Sequence, residues 1–171
     1  VPARQAVSLL EPVPNFAMRA EAVAMLPCHA TMAVFASELH TEFGGAFVEG
    51  SPLSWIARNA SKPGRPATEC WVLHSTAAWS ATHLDADADS VGEAMIEALA
   101  EALGFALPDT VFRASHRWLL ARSAEPLEDA VLWDASVKVG VCGDWLHGDR
   151  VEGAFLSGST MAETLCESLG G

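Results

Sequence analysis

The order of apolar and polar residues divides the chain into helical ends around a stranded middle. ARQAVSLL (3–10), behind Pro2, predicts a short helix with Val7 and Leu10 inward, broken by Pro12 and Pro14. NFAMRAEAVAM (15–25) predicts a second helix, capped by Asn15 and ended by Pro27. Then the period shortens. CHATMAVFA (28–36), Ala46–Glu49, LSWIARN (53–59) and CWVLHST (70–76) read as strands joined by short Gly- and Pro-containing loops, an antiparallel meander. DADSVGEAMIEALAEAL (87–103) is the clearest helix, with Val91, Met95, Leu99 and Leu103 on one stripe, acidic residues at its start and Gly104 at its end. DTVFRASHRWL (109–119) reads as another strand, and Val131–Trp133 and Val137–Cys142 as two more. Val139–Cys142 is expected to be buried on both faces. A last helix is expected over Val151–Leu169, with Val151, Phe155, Met161 and Leu165 near one face. The fold class is therefore α+β, an antiparallel sheet with helices.

Composition narrows the function. The 171 residues are half apolar and 19% charged, as in a globular protein. Lysine and arginine number 10 against 22 acidic residues, for a net charge of −12. That balance disfavours nucleic acid and anionic membranes as partners of the whole chain. No apolar run approaches the ~18 residues of a transmembrane helix, and no basic-then-apolar leader is visible. The chain opens on Val1 rather than Met, and we expect an upstream segment. Cys28, Cys70, Cys142 and Cys166 lack paired metal-ligand spacing and sit in apolar stretches. They are expected to be buried free thiols in a reducing cytoplasm.

Most familiar motifs are absent or incomplete. Asp85, Asp87 and Asp89 begin like a calcium loop, but Ser90 and Ile96 stand where it needs Gly and Glu. The run reads instead as a helix cap. The histidines at 29, 40, 74, 83, 116 and 147 form no H-x-x-x-H pair. No G-x-S-x-G, Walker loop or G-x-G-x-x-G occurs. Six tryptophans and no tyrosine are unusual; most serve a core, but two or three could wall a pocket for a flat ligand. Arg58, Lys62 and Arg65 bunch within eight positions, either as a solvated loop or as an anion clamp. VGVCGDWLHGDRVEGAFLSG places a Gly-Asp pair after a strand and before a helix start, a place suited to an anionic or electron-rich group.

That segment, with SPLSWIARNASKPGR, CWVLHSTAAWS and ASHRWLLA, resembles the bacterial renalase-like and amine-oxidase-type NAD/FAD-dependent oxidoreductases. The resemblance runs through most of the chain. It implies a substrate-binding domain over residues 1–136 and, over 137–171, a strand–helix return to a split Rossmann-type FAD domain. The first half of that domain, with G-x-G-x-x-G, would lie in an upstream segment and would be the chain's partner. By the resemblance, Gly143, Asp144, Trp145, Arg150, Val151 and Glu152 contact FAD. Arg58, Asn59, Lys62 and Arg65 contact a substrate phosphate, and His116, Arg117 and Trp118 come from a strand facing the flavin. The implied chemistry is hydride transfer from a dihydronicotinamide-like or amine substrate to flavin and on to dioxygen. The alternative is a non-enzymatic small-molecule-binding α+β domain with a Trp-lined pocket.

Overall fold

A computed structural model describes residues 1–169 of the chain. The molecule is α+β, with a five-stranded antiparallel sheet and five α-helices among the described residues. Two compact units are present, one of Pro27–Trp118 and one of residues 1–26 with 119 onward. The resemblance implies a return to a cofactor domain at 136/137; packing divides the chain at 26/27 and 118/119.

The Pro27–Trp118 unit is built on the sheet. Its strands are β1 (Met25–Phe35), β2 (Gly45–Phe47), β3 (Leu53–Arg58), β4 (Cys70–Ser75) and β5 (Thr110–Ser123), in the order β2-β3-β4-β1-β5. Alternation decides which side chains meet which layer. Ala33, Phe35, Leu53, Ile56, Trp71 and Leu73 share one face. They pack on Val91, Met95, Ala98 and Leu99 of the long helix Ala88–Leu103, where the sequence stripe places it. Asp87 caps that helix, its carboxylate accepting from the Asp89 and Ser90 N–H groups at 3.0 and 2.9 Å. Gly104, at φ 74°, takes the left-handed conformation that ends it. A shorter helix, Ala77–Thr82, is capped by Thr76. In chain order these two are α3 and α4.

The other unit holds α1 (Ala3–Ala6), α2 (Pro14–Ala22), a hairpin of β6 (Leu132–Asp134) and β7 (Val139–Val141), and α5 (Val151–Leu169). Ala3, Leu10, Phe16, Ala20, Leu132, Trp145 and Leu146 form its core. Several expectations are corrected here. Asn15 does not cap α2; Pro14 occupies the first turn behind Val13, because proline's missing N–H costs nothing there. The helix stops at Ala22, and Pro27 lies inside β1. β7 is not buried on both faces. It pairs antiparallel with β6 alone, Trp133 opposite Gly140, and its flanking valines are only half-buried. Asp134 folds the hairpin turn by accepting from Ser136 N–H at 2.9 Å.

The inward face of α5 is also different. Val151 and Phe155 are exposed, and Gly153, Ser157 and Met161 face inward. A Cβ on Gly153 would stand 1.8 Å from the His147 carbonyl oxygen, so the closest approach belongs to the small residue rather than the large ones. The thiols are not buried either. Cys142 and Cys166 are exposed, and Cys28 and Cys70 half-buried. Among the described residues, no helix is long and apolar enough to cross a membrane.

Candidate functional site

The sheet has a second face. The alternate residues of each strand point away from α4, and strand register sets them in rows. Phe47 lies opposite Trp55, Trp55 opposite His74, and His74 opposite Ala30. The next row is Gly45, Ala57, Val72 and Met32. On β5, the Ser115 hydroxyl bonds that of Thr31 at 2.9 Å, and Gly92 of α4 sits against Arg113 and Ser115. Phe112, Ala114, His116 and Trp118 therefore belong to the face away from the helix. Met32, Phe47, Phe112 and Trp118 are all exposed there. The result is an open, largely aromatic wall rather than a second packed layer.

Local packing fixes the wall's side chains. The Phe47 and Trp55 rings lie 4.7 Å apart. A Cβ on Gly45 would fall 2.9 Å from the Trp55 ring, so the glycine leaves the space in which that indole lies. His116 and Trp118 meet edge to face at 4.4 Å. His74, half-buried between Trp55 and Ala30, is kept neutral: burial lowers its pKa, and the Lys62 ammonium lowers it further. Among the described residues its ring makes no hydrogen bond, while its backbone oxygen accepts from Ser54 Oγ at 3.2 Å. Burial raises the Cys70 thiol pKa, with Lys62 acting in the opposite sense.

The residues singled out from the sequence fall in four places. His116 and Trp118 lie on the wall. Arg117 does not join them, since it points to the helix side and donates to the Leu84 carbonyl. Arg58 is occupied. Its Nε donates to Glu69 at 2.9 Å and a terminal nitrogen to Glu38 at 2.8 Å, which raises its pKa. Glu69 is itself buried and also accepts from Leu39 N–H at 3.1 Å and Trp71 Nε1 at 2.8 Å. This is a satisfied structural network. Asn59 forms a single turn after β3, and Lys62 and Arg65 follow it, exposed. The three-base clamp thus resolves into one base spent on structure and two at the surface.

Gly143–Glu152 forms a second locality. Asp144 stitches its own turn: its carbonyl accepts from His147 and Asp149 N–H, and its carboxylate from Trp145 N–H at 3.0 Å. Gly143 N–H donates to Ser157 Oγ at 2.9 Å, and Trp145 is buried. Arg150, Val151 and Glu152 open α5 at the surface. Gly148, Arg150, Glu152, Gly153 and Leu127 line a cleft of about 480 Å³. Asp149, which the sequence reading passed over, anchors the turn by accepting from Ser123 N–H and Oγ and pairing with Arg122 at 3.1 Å. Its φ of 52° is a turn signal, with Gly148 beside it at 90°.

The buried histidine is a core residue. His29 N–H is shared between the Ser75 and Ser80 hydroxyls at 3.0 Å each, and Nε2 meets the His83 carbonyl at 3.1 Å. Of the tryptophans, Trp71 and Trp145 are fully buried, while Trp55 and Trp118 serve the wall. No family model matches the chain.

Proposed function

We propose that this chain carries the substrate-side wall of a flavin-dependent oxidoreductase of the renalase-like or amine-oxidase type. The carrying observation is the open sheet face, with Phe47, Trp55, His74, His116 and Trp118 on one surface. An antiparallel sheet packed on one side and aromatic on the other is a rigid platform for a flat ring. The sequence resemblance supports the reading, because ASHRWLLA and SPLSWIARNASKPGR contribute to the wall and its rim.

FAD fits this chain in part. Arg150 and the exposed start of the 19-residue α5 suit an anionic edge of such a cofactor, beside the cleft at Gly148 and Glu152. No G-x-G-x-x-G is present to cradle a pyrophosphate. When bound, FAD would supply hydride acceptance. The chain's own residues would bind and orient the donor on the wall. The exposed thiols at Cys142 and Cys166 suit a reducing compartment, the cytoplasm in this reading.

Titration of the chain with 1-benzyl-1,4-dihydronicotinamide, followed by tryptophan fluorescence, tests the wall. Saturable quenching is expected. It should weaken several-fold in Trp118→Ala and be unchanged in Leu9→Ala, an exposed residue off the wall. Absence of saturation, or equal weakening in both variants, would defeat the reading.

A further inference from the structure

We infer that the ligand of the open sheet face is a planar ring carrying an anionic oxygen, held by the His74 imidazole and the Lys62 ammonium. The inference rests on the wall reading and names the ligand class that the wall takes. Four observations lead to it.

The wall is apolar apart from its histidines, and His74 is the one that strand register places inside the aromatic row. Among the described residues its ring nitrogens have no hydrogen-bond partner, although the neighbouring serines are engaged. Ser75 bonds Ser80 and His29, and Ser54 bonds the His74 and Ser75 carbonyls. A neutral imidazole offers one N–H donor and one acceptor nitrogen. Left unused on a half-desolvated surface, that donor is a recognition point.

The second group is Lys62. It follows the turn Asn59–Ser61, which packs beside β4, the strand that carries His74 and Cys70 on its outward face; its charge lowers the pKa of both. Among the described residues no hydrogen bond or ion pair holds its ammonium. Arg58, the nearest sequence alternative, is saturated by Glu38 and Glu69, and Arg117 is turned to the helix side. In a chain of net charge −12, a cation without an acidic partner beside an apolar face marks where negative charge is accepted. A cationic amine would meet Lys62 unfavourably there. The anionic oxygen is that of a carboxylate or a phosphate, since both accept from an ammonium and an imidazole N–H.

The probes are 2-naphthoate and its neutral counterpart of similar shape, 2-acetylnaphthalene, titrated into the chain by tryptophan fluorescence. Naphthoate is expected to bind about tenfold more tightly, the size of one charge-assisted hydrogen bond. Lys62→Gln and His74→Leu should each reduce naphthoate affinity several-fold. Lys62→Gln should leave acetylnaphthalene unchanged, and added salt should weaken naphthoate alone. If both probes bind equally, or both variants shift the two probes alike, this inference fails while the wall reading stands. If neither probe binds the unaltered chain, the wall reading fails and takes the inference with it. Phenyl phosphate, titrated in the same way, separates the two anions: tighter binding than naphthoate assigns the site to phosphate.

Discussion

At the scale of single residues, the buried histidine answers a question that spacing could not. Nothing in the sequence distinguishes His29 from His74, each on an outward or inward alternation of a strand. The fold buries His29 against two serines and the His83 carbonyl, and leaves His74 on the aromatic wall. Both have pKa values lowered from 6.5, first by burial; at His29 the bond to the His83 carbonyl opposes the effect and the Arg117 charge adds to it. The unfolded chain therefore binds protons that the folded chain refuses. Stability is full above the ordinary histidine value and is lost as pH falls through the lowered folded values. Asp87 and Asp134 are held below 3.8 by serine donors, so their contribution disappears only at lower pH. Urea midpoints at about pH 7.5 and about pH 5 should differ, the acid value being lower. His29→Gln should shrink that difference and His74→Leu should remove most of the rest. An unchanged difference in the double variant would assign it elsewhere. The same scale shows why the basic cluster misled. Arg58, Lys62 and Arg65 are adjacent in sequence, but Glu38 and Glu69 reach Arg58 only after the sheet has formed.

At the scale of elements, most of what the sequence revealed came from period. The α4 stripe, the Asp87 cap and the Gly104 stop need only local geometry, and each is in place. The meander was legible only for β2 to β4; β1 pairs with β4 instead of β2, a crossover that the period of a single strand does not encode. What failed was burial in α5 and β7, because apolar character does not say which neighbour is close enough to cover it. Gly153 shows the physical cause. Helix and preceding turn approach until only a hydrogen fits against the His147 carbonyl, and that contact sets the inward face. Gly153→Ala should cost about 2–3 kcal/mol, from overpacking against backbone that cannot yield. Gly158→Ala, with nothing within 4 Å, should instead gain roughly 0.5–1 kcal/mol from helix propensity. Thermal unfolding of the two variants checks this; equal shifts would show that the close approach does not govern α5. The wall was half legible. His116 and Trp118 came from the resemblance, but Phe47, Trp55 and His74 become one row only through strand register, which no single segment encodes.

At the scale of the molecule, one prediction concerns the cofactor. Mixed with FAD and passed through a desalting column, the chain should retain far less than one flavin per chain. One helix start and Arg150 replace only part of a pyrophosphate cradle. Stoichiometric retention would show that the Gly143–Glu152 locality binds more than an edge of the cofactor. The sheet itself has a longer-range consequence. Along β4, Trp71, Leu73 and Ser75 answer to α4 and the core, while Cys70, Val72 and His74 answer to whatever lies on the other side. On the proposed wall, neighbouring codons would therefore come under different selection: odd-numbered positions through folding, even-numbered ones through the ligand. A lineage could exchange its ligand by drift at the even positions without passing through an unfolded intermediate, and a directed-evolution library restricted to them would spend little of its diversity on dead clones.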